Sequence, residues 1–250
     1  MSSPARRPLP VTRGGRRRRI SLGTLSLLVP ALWAAVLAPC AAQARPAGHA
    51  PVAFRAAARP LPQAMAARLQ QGGFWHRGCP VALSALRLLT VSHRGFDGRA
   101  HTGELIVNQS ATGALTSAFR ALYQRGFPIR HMRFADFYGP ARGRPGDGDV
   151  TASFECRQAA ASPCTGGGGT GTWSQHAYGL AVDVNPGENP YVGCGQSRDP
   201  TLKQYRDRSR HLKGMVTPRA RDAFADIGWG WGGSWAGDTK DYMHFSSTGG

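Results

Sequence analysis

Hydrophobic and polar positions follow several distinct rhythms along the chain. Apolar residues at Leu61, Met65 and Leu69 recur at helical spacing, and Gly72-Gly73 closes the run, so a short helix is predicted there. Ala85 to Ser92 and Glu104 to Val107 read as two strands joined through the turn Gly95-Phe96-Asp97-Gly98. Thr112 to Arg125 returns to helical spacing at Leu115, Phe119, Leu122 and Tyr123, with Gly126 as the stop. Another strand is predicted from Ile129 to Phe137, while Gly139 to Asp149 and Gly166 to Gly171 read as glycine-rich loops. Further on, Leu180, Val182 and Val184 alternate with Ala181 and Asp183, as in a strand entered through Gly179. Thr217-Pro218 is an N-cap with proline at the first helical position, and Gly228 ends that helix. Short strands mixed with short helices predict an α+β fold, a small antiparallel sheet flanked by helices.

Composition sharpens this picture. The chain has 250 residues, 41% of them hydrophobic, with six Trp and ten Phe, which is enough for a core and excludes wholesale disorder. Its net charge of +17 invites a nucleic-acid partner, but the distribution of that charge argues otherwise. Arg6, Arg7, Arg13 and Arg16 to Arg19 lie before residue 20, followed by an apolar run from Ile20 to Leu37 and by Ala42-Gln43-Ala44. A basic region, an apolar region and an A-x-A site describe a secretory signal peptide over residues 1–44, and the Arg pairs also permit a twin-arginine route. The alternatives are a membrane anchor, which Pro30 and the A-x-A site disfavour, and lipidation at Cys40, which Pro39 fits poorly. An exported protein is expected, touching the membrane only through this segment. Residues 45–72 read as a Pro/Ala/Arg-rich linker ending in the short helix, and residues 73–250 as the functional domain.

Without residues 1–44 the net charge drops by seven to +10, and no basic helix or RNA-binding motif remains, so nucleic acid is not an expected partner. Only three of the 31 basic residues are Lys, a bias that a GC-rich genome explains as well as function does. Cys79, Cys156, Cys164 and Cys194 remain, an even set that reads as two disulfides with three possible connectivities. A four-cysteine zinc site is the rival reading, and no C-x-x-C pair supports it.

Candidate chemistry concentrates after residue 150. His176 and Asp183 are separated by six residues, and a strand entered through Gly179 can aim Asp183 back toward His176. A second cluster, Asp241-Tyr242-Met243-His244-Phe245, adds another imidazole and a spare carboxylate. Three protein ligands with an open fourth position suit catalytic zinc, and a spare carboxylate beside them suits proton transfer. Six other histidines compete for any such role, so spacing by itself leaves the site open.

The pattern Ser174-x-His176-x-x-Gly179-x-Ala181-x-Asp183, followed by Asp241-x-x-His244-Phe245, resembles the signature of zinc D-alanyl-D-alanine carboxypeptidases. The wider group includes vancomycin-resistance D,D-peptidases, L-alanyl-D-glutamate endopeptidases and the hedgehog signalling domain. The resemblance extends through residues 101–107, 130–139 and 153–157, then Asn185-Pro-x-x-Asn189-Pro-Tyr191 and the tryptophan run from Trp229 to Trp235. It implies a hedgehog/D,D-peptidase-like domain in which His176, Asp183 and His244 hold Zn2+. It also implies that Asp241 is the general acid/base for a zinc-bound water, and that Arg157 steadies the polarised carbonyl oxygen.

The implied substrates are peptidoglycan stem peptides, and the implied activity is a D-Ala-D-Ala carboxypeptidase. An L-Ala-D-Glu endopeptidase and a non-catalytic zinc-containing binding domain are the alternatives. An extracytoplasmic, monomeric, wall-associated protein is expected, with +10 of charge drawing it to anionic wall polymers.

Among the neighbours of these residues, Ser174 is expected to support the backbone or the ligand shell, without a covalent role. Tyr178 reads as packing or substrate contact, and the tryptophans as cleft wall or core, with at least one in the core. His101 and Glu104 lie in a matching segment without an assigned role. The chain departs from the family at Gln158 to Thr172, a glycine-rich insertion expected to be a flexible loop bordering the site.

Overall fold

The computed structural model describes residues 52–166, 169–197 and 199–249. The predicted export signal, Cys40 and the first part of the predicted linker lie outside the described residues. Strand β1 (Ala56–Pro60) corrects the rest of the linker expectation, because it pairs antiparallel with β2 (Leu86–Arg94) from Ala56 opposite Val91 to Pro60 opposite Arg87. All five β1 residues are exposed, so backbone pairing rather than an apolar face holds the strand, and no pattern of side chains announces it. Helix α1 (Gln63–Gln71) follows, buries Leu69 and ends at Gly72 as predicted.

Strands β2 and β3 (Ala100–Asn108) form the predicted hairpin, in unbroken register from Leu86 opposite Asn108 to Arg94 opposite Ala100. Helix α2 (Thr112–Gln124) lays Leu115, Ala118, Phe119 and Leu122 over Leu89, Val91, Leu105 and Val107 in one buried cluster. Each large side chain buried there stabilises the fold by about 1.5–3 kcal/mol.

The strand predicted over Ile129 to Phe137 is instead helix α3 (Phe134–Tyr138), preceded by a single bridge of His131 to Val150. Two carboxylates override the apolar pattern. Asp136 accepts from the Arg133 backbone N–H at 3.1 Å, and Glu104 accepts from that of Phe134 at 3.0 Å, so the first helical turn is capped. Glu104 thereby gains a structural role.

The insertion is not an irregular loop. Strands β4 (Gln158–Ala160) and β5 (Gly169–Trp173) pair antiparallel, Gln158 opposite Trp173 and Ala160 opposite Gly169. Disulfides join Cys79 to Cys156 and Cys164 to Cys194, which selects one of the three connectivities.

Beyond the insertion lie β6 (Ala181–Asp183), β7 (Tyr191–Gly193) and β8 (Gln196–Ser197). Helix α4 (Pro218–Ala225), β9 (Gly230–Trp231), β10 (Lys240–Asp241) and β11 (His244–Ser246) complete the chain. Thr217 caps α4 through its hydroxyl, as predicted. Two small sheets result, ordered β6-β11-β9 and β10-β7-β8. Val182, Val184, Phe224, Trp229 and Phe245 join the same buried cluster as β2, β3 and α2, so both parts share one core. The architecture is the expected α+β mixture of small antiparallel sheets and few helices. Among the described residues no helix is long and apolar enough to cross a membrane.

Candidate active site

Strand alternation builds the centre of the site. In the β6-β11 pair, Val182 faces Phe245 and both are fully buried in the core, so their neighbours Asp183 and His244, also paired in register, project from the other face. His176 reaches the same point from a short turn over Gln175–Tyr178, whose start is capped by the Ser174 hydroxyl accepting from the His176 N–H at 3.3 Å. The turn ends at Gly179 with φ +66°, where a Cβ would come within 2.6 Å of the Asn108 nitrogen. That close approach lets the Asn108 N–H donate to the Gly179 carbonyl at 2.9 Å, and so ties the turn to the end of β3.

Three ligand-type atoms converge. His176 Nε2 lies 3.1 Å from Asp183 Oδ1 and 3.1 Å from His244 Nδ1, and His244 Nδ1 lies 3.2 Å from Asp183 Oδ1. Ligands bound to zinc at 2.0–2.1 Å in a tetrahedron stand about 3.3 Å apart, so the triangle has the size a zinc ion requires. His176 Nδ1 donates to the Ser153 carbonyl at 2.5 Å, which fixes the ring and leaves Nε2 as its ligand atom. Burial alone would raise the Asp183 carboxyl. The facing His176 and His244 outweigh burial and hold it below the usual carboxylate range.

Asp241 enters on β10, opposite Tyr191 of β7. Its Oδ1 is shielded from solvent and has no hydrogen-bond partner. Loss of hydration, reinforced by the negative Asp183 nearby, pushes its carboxyl up to about 7 despite His244 and Arg157. Arg157 is half-buried and donates through Nε to Glu155 Oε2 at 2.7 Å. All five predicted site residues line one cleft of about 530 Å³, a volume typical of small-ligand sites.

Residues 168–247 match the family model for D-alanyl-D-alanine carboxypeptidase. This is the family that the motif resembles, and the matched stretch contains His176, Asp183, Asp241 and His244. Arg157 and the β1-β2-β3 sheet precede it. No curated protein and no solved structure matches the chain.

Several residues of this carboxypeptidase-like region have roles that sequence reasoning left unassigned. Asn189 is fully buried, donates to the carbonyls of Val184, Asn185 and Gly214, and accepts from Arg208 and from the Val216 N–H. Asn185, at φ +46°, donates to Pro128 and Gly214 and accepts from the Arg130 N–H. Together they rivet the segment after β6, and the repeated Asn-Pro of Asn185-Pro-x-x-Asn189-Pro was the only signal for this. Ser153 acts through its carbonyl, which no residue type reveals. Trp229 joins the core, whereas Trp235 lines the cleft with its ring 5.8 Å from that of His244. A second cluster, His76, Cys79 and Cys156, also lies within ligand range, but its two sulfurs form a disulfide.

Proposed function

We propose that the protein is an exported zinc metallopeptidase that removes the terminal D-alanine from peptidoglycan stem peptides ending in D-Ala-D-Ala. The observation that carries this reading is the set of three ligand atoms 3.1–3.2 Å apart, with the shielded Asp241 carboxylate in the same cleft. Two imidazoles and one carboxylate suit zinc, and His176, Asp183 and His244 would hold it. Zinc bound there supplies a Lewis acid that polarises a peptide carbonyl and acidifies water.

The chain's own groups divide the remaining work. Asp241 takes the proton of the attacking water on its unpartnered Oδ1 and returns it to the leaving amine of D-alanine. A carboxyl poised near neutrality can do both. The Arg157 guanidinium stabilises negative charge on the carbonyl oxygen. Ser153 keeps the His176 ring oriented through the whole cycle. The low-dielectric walls around Asp241, including Trp235 and Met243, strengthen each of these interactions.

Two disulfides and the predicted export signal support a location outside the cytoplasm. The charge of +10 on residues 45–250 favours adsorption to anionic wall polymers, which high salt should reverse. The direct test is metal removal. Chelator-stripped protein should release no D-alanine from a D-Ala-D-Ala peptide, and stoichiometric zinc should restore release. Release that persists without metal would overturn the reading.

A further inference from the structure

The insertion that departs from the family is rooted at the candidate active site at both ends. Its first strand, β4, follows Arg157 directly, and its second, β5, runs into Ser174 and His176. Ala160 and Trp173 of this hairpin line the cleft, as do Tyr191 and Leu202.

Away from its roots the hairpin is fastened to the elements that carry Asp241. Cys164 is bonded to Cys194 in the turn between β7 and β8, and β7 pairs with β10. The Ser162 and Thr239 hydroxyls are hydrogen-bonded at 2.5 Å, and Thr239 immediately precedes β10. A Cβ on Gly193 would meet Cys164 Sγ at 3.0 Å and Pro163 at 3.3 Å, so the hairpin lies directly against β7. The segment therefore runs from the His176 side of the cleft to the Asp241 side and is covalently locked there.

We infer that this disulfide-fastened hairpin blocks one end of the cleft, admitting a single free C-terminal residue beyond the scissile bond and refusing a chain that continues past that residue. The inference rests on the peptidase reading and selects an exopeptidase over an internal L-Ala-D-Glu endopeptidase. An endopeptidase needs a groove open at both ends, because its substrate continues for several residues on both sides of the reacting carbonyl. Here the hairpin and the β7 segment, both of which line the cleft, are joined four residues beyond Ala160 and three beyond Tyr191, so they cannot part to let a longer chain through. Exclusion of this kind works through steric clash with the wrong substrate rather than added affinity for the right one.

The test compares two peptides on the zinc-loaded full chain: a stem peptide ending in D-Ala-D-Ala, and the same peptide extended by further residues at its C-terminus. Wild type should cleave the free-ended peptide with a kcat/KM at least about a hundredfold above that for cleavage of the same bond in the extended one. The double variant Cys164→Ser/Cys194→Ser should keep its rate on the free-ended peptide within about threefold and gain about tenfold or more on the extended one.

Should that variant not fold, mild treatment of wild type with a dithiol gives the same comparison. Cys164 and Cys194 are both exposed whereas Cys156 is buried, so the fastening bond is reduced first, and alkylation followed by mass measurement identifies it. An unchanged ratio after opening, or equal cleavage of both peptides by wild type, would overturn the inference while leaving the peptidase reading intact. Cleavage of neither peptide would overturn both.

Discussion

The half of the protein built from β1, β2, β3 and α2 and the half that carries the cleft share one apolar core, but their chains are fixed in place differently. In the first, two nine-residue strands pair along their whole length, and leucines, valines and Phe119 fill the space under α2. In the second, no strand from β6 onward exceeds three residues among the described residues, too few for stability on its own. Buried polar groups add to the share of the core that Val182, Val184, Phe224, Trp229 and Phe245 supply there. Asn185 and Asn189 tie the chain after β6 to three other segments, and Arg130 bridges Asp149 at 2.7 Å and Glu188. An apolar platform can be soft in detail and still fold. A ligand triangle a few tenths of an ångström across its tolerance cannot, and directional hydrogen bonds give it that definition.

This contrast can be broken from either side. Apart from the proton carrier Asp241, the largest expected effect belongs to the cleft: Arg157→Ala should lower kcat by about 10²–10³ through loss of charge stabilisation, with an unchanged unfolding midpoint. A matching fall in thermal stability would assign Arg157 to the framework instead. Leu105→Ala should do the reverse, costing about 2–5 kcal/mol in denaturant unfolding while the folded fraction keeps its kcat.

Asn189→Ala tests whether the polar fixation of the cleft half positions the ligands. It removes the side-chain partner of the Val184 carbonyl and of the Val216 N–H, so a loss of about 1–3 kcal/mol should be accompanied by weaker zinc binding, read by metal titration. Stability loss with normal metal affinity would show that the rivet does not position the ligands.

The smallest effect is in pH dependence. Burial pushes Glu188 up to about 8, helped by Asp149 and opposed by Arg130. A carboxyl raised on folding binds its proton more tightly in the native state, so its contribution is full below its unfolded value of 4.5 and is lost as pH rises toward about 8. Glu188→Gln should therefore lose less stability than wild type across that window, a difference read in paired denaturation curves. Parallel curves would remove Glu188 from the ledger of the polar half.

The same division explains what the sequence revealed. Strands β2 and β3 and helices α2 and α4 were legible because burial imposes a period and caps mark the ends. Strand β1 was not, since Ala56-Ala57-Ala58 has no face to bury, and α3 was not, because carboxylates from Asp136 and Glu104 decide it. The insertion read as a loop because its glycines carry no pattern, whereas its hairpin is fastened by a disulfide whose pairing no sequence specifies. His176, Asp183, Asp241 and His244 stood out through spacing and the family motif. The Ser153 carbonyl, which orients His176, left no mark because every residue has one.

The most direct measurement follows zinc-loaded wild type and its Asp241→Asn variant, at equal metal content, on a stem peptide ending in D-Ala-D-Ala, with products read by mass. Wild type should release a single alanine, and the variant should be slower by up to about 10⁴ with no loss of zinc or thermal stability. A variant as fast as wild type, or products other than alanine and the shortened peptide, would contradict the assignment of this cleft.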